Sequence, residues 1–256
     1  MTTILVPYHL DDHLTGHRFP VTADRVVTAD LPSTVDGPPW TALARIFDRT
    51  ADEVATAVRA GDRPTVVSGD CLTALGTVAG LQRAGIDPAV VWFDAHGDVQ
   101  TLETSTSGYL GGMVVRLLVG YRPELIGAAL GLRPVAEDRV TLVDARDLDP
   151  PEVEYLRTSR ITRLAVAGVA PDRLPAGPLY LHLDVDVIDP ADLPGLLFPA
   201  PGGEPVSAVV AALRRVMESG RVAALGVACT WGTGDEAPAQ ALRPHLAHLV
   251  SGPAAP

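Results

Sequence analysis

The sequence has no lysine and no asparagine, only two cysteines, and no apolar run near the roughly 18 uninterrupted residues that a membrane helix needs. All 20 cationic residues are arginine. That excludes a Schiff-base lysine, a phosphate-loop lysine and a Ser-Lys nucleophile pair. Any contact usually made through an asparagine side chain must be served by another residue. Positive charge is scarce as well, and the formal net charge is -11. Without a basic stripe to release counterions from phosphates, neither nucleic acid nor an anionic membrane suits this chain as a partner. A small molecule is left. Cys71 and Cys229 are too few for a disulfide framework and suit small buried residues of a reducing compartment. The first seven residues carry no basic stretch, only the short apolar run Ile4, Leu5 and Val6, so the expected location is the cytoplasm.

What is present is enough for one sizeable core: 256 residues, 47% of them hydrophobic, with no Ser/Gly-rich linker dividing them. The expectation is a single domain over residues 1–256. Short runs of Val, Ile and Leu predict strands over 4–8, 25–28, 65–68, 89–94, 139–144, 163–167, 179–184 and 222–227. Stretches of helical period predict helices over 41–60, 71–84, 111–120, 151–157, 205–219 and 238–250. The alternation predicts an α/β fold with a mostly parallel sheet, helices covering both faces. Pro151, Pro205 and Pro238 fall at helix starts, where a missing N–H costs nothing. In such sheets ligands bind beyond the carboxyl ends of the strands, so the loops over 97–112 and 189–205 are expected to converge on one site.

Both loops begin where acids cluster. Asp94, His96 and Asp98 follow the apolar run 89–93 at spacings of two, so extended backbone would aim all three to one face. Asp184 and Asp186 repeat the pattern after 179–183. Four carboxylates and an imidazole cannot form a dry core, because unpaired buried carboxylates cost several kcal/mol each. Two divalent cations would neutralise them, and an oxygen-rich set with one imidazole suits Mn²⁺ better than Cu or Ni. Asp189, before Pro190, reads as a turn residue and not a ligand. His9, His13 and His17 sit four apart among acids, but Gly16 and Pro20 make a polar loop the better reading. His182 reads as a core histidine, and Arg214-Arg215 as a solvated helix face.

The segment Phe93-Asp94-Ala95-His96-Gly97-Asp98 resembles the Asp-Ala-His-x-Asp motif of the arginase and agmatinase (ureohydrolase) family, and Leu183-Asp184-Val185-Asp186-Val187-Ile188-Asp189-Pro190 resembles its second metal motif. Ser68-Gly69-Asp70-Cys71 occupies the place of the family's Gly-Gly-Asp-His, and Asp144-Ala145-Arg146-Asp147-Leu148-Asp149-Pro150 is similar to its Arg-Asp-x-Asp-Pro segment. The first forty residues match poorly. The resemblance implies an arginase-like fold and two Mn²⁺ ions bridging a hydroxide that attacks a guanidino carbon. It implies that Asp94 and Asp184 bridge the ions, that Asp98 completes one site, and that His96 and Asp186 complete the other, with Asp98 and Asp184 in catalytic roles.

The departures bear on the substrate. Cys71 stands where the family has a His ligand; it is either a thiolate ligand, which would favour Zn²⁺ or weaken one Mn²⁺ site, or a buried residue beside the site. Gly111 replaces a proton-shuttling His, and Trp231 replaces a Glu that pairs with the guanidinium. The run 104–113, with Gly108-Tyr109-Leu110-Gly111-Gly112-Met113, resembles the N-hydroxyarginine hydrolases of cycloserine biosynthesis more than ordinary arginases. This implies cleavage of N-hydroxy-L-arginine to L-ornithine and hydroxyurea. Gln100, Ser107, Asp149 and Glu152 match positions that hold the substrate α-carboxylate and α-amine, and each also suits a surface or capping role. Tyr109 and Trp231 complete the candidate substrate contacts. The rival readings are a metal-poor binding or regulatory relative, and a hydrolase of another C–N substrate such as arginine or agmatine. A homo-oligomer is compatible with the sequence, which sets no subunit number.

Overall fold

The computed structural model describes residues 1–31, 39–232 and 234–250; the tail 251–256, expected to fray, lies outside them. The strands among the described residues are β1 (Thr2–Val6), β2 (Tyr8–His9), β3 (Asp12–His13), β4 (Arg25–Val26), β5 (Pro64–Ser68), β6 (Ala89–His96), β7 (Val140–Asp147), β8 (Thr162–Leu164), β9 (Leu179–Asp184) and β10 (Val222–Ala228). The helices are α1 (Trp40–Arg59), α2 (Ala74–Arg83), α3 (Val114–Leu118), α4 (Gly127–Leu130), α5 (Pro150–Thr158), α6 (Val206–Glu218) and α7 (Ala237–Val250). Eight strands form one sheet in the order β4-β1-β5-β10-β9-β6-β7-β8, and all its pairings are parallel. Among the described residues no helix is long and apolar enough to cross a membrane.

The strands read as continuous apolar runs because helices cover both faces. Along β6, Val90 and Trp92 join the core beneath α1, α2 and α3, while Val91 and Phe93 join the core beneath α6 and α7. Each such side chain, fully buried, contributes about 1.5–3 kcal/mol. Register positions the acids. β6 and β9 are neighbours paired Phe93↔Leu183, so the residues that follow, Asp94 and Asp184, emerge side by side at the carboxyl edge. β10 pairs Ala228 with both Asp184 and Ser68, which brings the segment ending in Cys71 to the same edge.

The structure adds elements and corrects others. Tyr8–His9 and Asp12–His13 pair as a small antiparallel hairpin, tighter than the loop expected there. The strand over 163–167 ends at Leu164, and Val166–Gly168 is a 3₁₀ turn. Arg215 is no solvated residue: its guanidinium donates to the Val169 carbonyl at 2.8 Å and ties that turn to α6. Asp189 does close a turn, accepting the Ala191 N–H at 2.8 Å.

Candidate active site

At the carboxyl edge of the sheet lies a cavity of about 160 Å³, lined by Cys71, Asp94, His96, Asp98, Gln100, Ser105, Ser107, Tyr109, Gly112, Asp149, Glu152, Asp184, Asp186, Phe198 and Thr230. The loops after β6 and β9 do converge there. Alternation alone does not deliver the first motif: the ladder shifts register between Asp94 and His96, β6 ends at His96, and Asp98 adopts a left-handed backbone with φ 53°. Asp tolerates that conformation better than most residues.

One side of the cavity is closely assembled. The ligand atoms of Asp94, His96 and Asp186 lie within 4.8 Å of one another. His96 Nδ1 stands 3.0 Å from Asp186 Oδ2 and 3.4 Å from Asp94 Oδ1. Backbone and core side chains fix the acids: Asp94 accepts from the His96 N–H at 2.7 Å and from Trp92 Nε1 at 3.0 Å, and Asp186 accepts from the Ala95 N–H at 3.1 Å. Burial opposes a charged imidazole, but the carboxylates of Asp186 and Asp94 override it and push His96 up to about 12. The imidazolium in turn holds Asp94 low against the effect of burial.

The other side is less complete. Asp98 Oδ2 and Asp70 Oδ1 are buried without a hydrogen-bond partner. Burial and then neighbouring acids push Asp98 and Asp184 well above the usual carboxylate range, and Asp186 rises to about 7. Cys71 is buried too, and burial followed by Asp98 and Asp184 drives its thiol far up. Asp184 accepts from the Thr230 hydroxyl at 3.1 Å and from the Asp186 N–H at 3.2 Å.

The candidate substrate residues form a connected wall. Gln100 donates to Asp149 Oδ2 at 2.8 Å and accepts from the Thr104 hydroxyl at 2.8 Å. Glu152 caps α5 by accepting the Asp149 N–H at 3.0 Å, and it also accepts the Val99 N–H at 3.1 Å. Gly97 is tight against it: a Cβ there would stand 2.9 Å from Glu152 Oε1. Ser107 sits at the exposed mouth, its hydroxyl accepting the Tyr109 N–H at 3.2 Å. Trp231 is brought elsewhere; it is buried against His17, with ring centroids 5.4 Å apart, and does not line the cavity. Thr230 lines it instead. Backbone pairing explains this exchange, since Leu196 bridges Trp231 and the Leu197 N–H donates to the Thr230 carbonyl at 2.8 Å, drawing the loop that carries Phe198 across the opening.

Thr230, Phe198 and Arg146 were not singled out from the sequence. Arg146 pairs with Asp144 and donates to the carbonyls of Asp186, Val187 and Ala200 at 3.0–3.2 Å, pinning the turn that carries the second acid pair. Only its place in the motif resembling Arg-Asp-x-Asp-Pro could have signalled it. His182 is a core histidine, stacked on Trp92 at 3.6 Å and hydrogen-bonded to the Tyr180 hydroxyl at 2.9 Å. Among the described residues, His9, His13 and His17 do not gather into a group of metal-binding side chains; His9 Nδ1 lies 3.0 Å from the Gly69 carbonyl.

The Arginase family model matches residues 8–237. An arginase of Eremothecium gossypii is 32% identical over 194 residues, 69% of this chain and 48% of that protein. The N(omega)-hydroxy-L-arginine amidinohydrolase of Streptomyces lavendulae is 36% identical over 147 residues, 56% of this chain and 52% of that one. The chain thus spans about half the length of these curated relatives. Its fold is similar to that of the Bacillus caldovelox arginase, with a TM-score of 0.81 at 24% identity, covering 96% of this chain and 97% of the other.

Proposed function

Because the chain belongs to the arginase family, we propose that it is a dinuclear metal hydrolase of a guanidino-type C–N bond, converting N-hydroxy-L-arginine to L-ornithine and hydroxyurea. The observation that carries this reading is the convergence of Asp94, His96, Asp98, Asp184 and Asp186 in one buried cavity. Among the described residues the only ion pairs to these acids come from His96, and Asp98 keeps an oxygen with no partner. Such a donor set fits two hard divalent cations, Mn²⁺ foremost, with Zn²⁺ an option where Cys71 takes part. Asp94 and Asp184 would serve both ions, Asp98 and Cys71 one of them, and His96 and Asp186 the other. When bound, the ions would supply Lewis acidity, lowering the pKa of water held next to the guanidino carbon.

The protein's own groups bind and orient. Gln100, locked between Asp149 and Thr104, and Ser107 at the mouth would receive the α-carboxylate. Asp149 and Glu152 would receive the α-amine through lone pairs that their present partners leave free. The segment after β10 presents the Thr230 hydroxyl to the cavity and, among the described residues, no carboxylate. No imidazole arises at Gly111 either. An arginine guanidinium gains most from both groups, whereas a less basic hydroxyguanidine does without an anionic clamp. The two free buried cysteines suit a cytoplasmic protein.

The test is a side-by-side assay of the Mn²⁺-reconstituted protein on N-hydroxyarginine, arginine and agmatine. N-hydroxyarginine is expected to show a specificity constant at least roughly tenfold above the other two, about 1.4 kcal/mol of transition-state discrimination. Arginine or agmatine turned over best would overturn the substrate. Protein that retains neither Mn²⁺ nor Zn²⁺ after reconstitution would overturn the hydrolase.

A further inference from the structure

Tyr109 carries, among the described residues lining the cavity, the one buried hydroxyl without a hydrogen-bond partner. Its ring is pinned from two directions. Phe198 packs on it from the loop after β9, with centroids 4.7 Å apart, and His9 stacks on it from the hairpin at 5.8 Å and 12°. Gly111 provides the space beneath: a Cβ at that position would overlap Tyr109 Cε1 and stand 2.8 Å from the hydroxyl oxygen. The absent side chain at 111 and the tyrosine ring are therefore one arrangement, which fills a volume that a larger residue 111 would claim. Burial, and after it the acidic neighbours Cys71, Asp70, Asp184 and Asp98, push the phenol far above its usual range, so it keeps its proton. A buried O–H left unpaired is unfavourable, and that cost is removed when a ligand brings an acceptor.

We infer that the Tyr109 hydroxyl is a specificity-determining donor to the N-hydroxyl group of a hydroxyguanidine, an inference that rests on the proposed function. The rest of the wall is rich in acceptors, which serve N–H groups of any guanidino compound. A protonated guanidinium offers five N–H donors and no acceptor, so it leaves the Tyr109 proton unmatched. A hydroxyguanidine adds an oxygen with lone pairs. Sites built to hydrogen-bond a substrate hydroxyl discriminate strongly against analogues that lack it. The reaction preserves the contact. Water adds at the guanidino carbon, the bond to the ornithine δ-nitrogen breaks, that nitrogen takes up a proton, and the N–O bond passes intact into hydroxyurea.

Tyr109→Phe removes the oxygen and keeps the ring. The ratio of kcat/KM for N-hydroxyarginine over arginine is expected to fall at least roughly tenfold, and calorimetry on protein freed of metal should show the same selective loss in binding. Gly111→Ala, which displaces the ring without deleting the hydroxyl, should reproduce the loss of preference. Thermal melting of both variants checks the fold. A wild type that prefers N-hydroxyarginine, with a ratio unchanged in both variants, overturns the role of Tyr109 alone. A wild type that prefers arginine overturns this role together with the hydroxyguanidine reading.

Discussion

The two sides of the acidic cavity draw on the same sheet edge and on nearly the same residue types, yet they stand in different states. On the His96 side, an imidazolium sits within 3.4 Å of two carboxylates, and backbone N–H groups hold both acids in place. On the Cys71 side, Asp98 and Asp70 each keep a buried oxygen without a partner, and where the other side has an imidazole this one has a thiol that burial keeps protonated. The difference comes down to one donor. An imidazole can balance neighbouring acids as a cation and later give its nitrogen to a metal, whereas a thiol can do neither without first becoming another anion. The His96 side is thus prepared before a cation arrives, and the Cys71 side needs the cation to be complete.

The sharpest way to break this comparison is to remove the residue common to both sides. Asp184→Ala deletes the proposed bridge and the partner of Thr230. Metal content should fall to zero and turnover to background. Near wild-type hydrolysis in that variant would show that the two sides do not share Asp184.

A smaller effect distinguishes the sides from each other. Calorimetric titration of metal-free protein with Mn²⁺ should resolve two binding events at least roughly tenfold apart, about 1.4 kcal/mol, the tighter one lost in His96→Ala. Cys71→His, which gives the weaker side a neutral nitrogen, should narrow the gap and raise the weaker affinity. Identical titrations before and after that substitution would mean that Cys71 lies beside the site without serving it.

Much of this asymmetry was legible in the sequence, and what was not has a physical reason. The strands stand out because burial on both faces leaves uninterrupted Val, Ile and Leu runs, and the acid pairs stand out because nothing else explains carboxylates two apart at strand ends. The cysteine at position 71, where the family resemblance led us to expect a histidine, was visible in a single letter. Phe198 and His9 were not, because they reach Tyr109 from a loop and a hairpin far apart in sequence that only the fold brings together. Trp231 was misplaced by one residue: the chain has left β10 by then, and its pairing with Leu196 turns the indole toward His17 and gives the cavity wall to Thr230. Asp98 was expected to continue the extended backbone and instead turns through a positive φ.

The smallest expected effect compares the buried acids in and beside the cavity with the histidines buried away from its lining, through the pH dependence of stability. Burial raises Asp70 to about 6 and Asp186 to about 7 from 3.8, and also raises Asp98 and Asp184 well above 3.8. A carboxyl whose pKa is higher folded than unfolded stabilises fully below its unfolded value, and that stabilisation is lost as pH rises through the folded value. His96, raised to about 12, acts in the same sense above 6.5. His182, lowered to about 3 by burial, and His17, also lowered by burial, act oppositely: their contribution is lost as pH falls below 6.5. The carboxyls outnumber these two imidazoles, so metal-free protein should melt higher at about pH 5.5 than at about pH 7.5, by about 2–4 °C for each kcal/mol of repulsion relieved. Saturating Mn²⁺ should abolish the rise, because the cations then supply the charge that protons supplied. Metal-free protein that melts lower at the acidic pH would mean that His17 and His182 outweigh the cavity, and that the Cys71 side is already compensated without a cation.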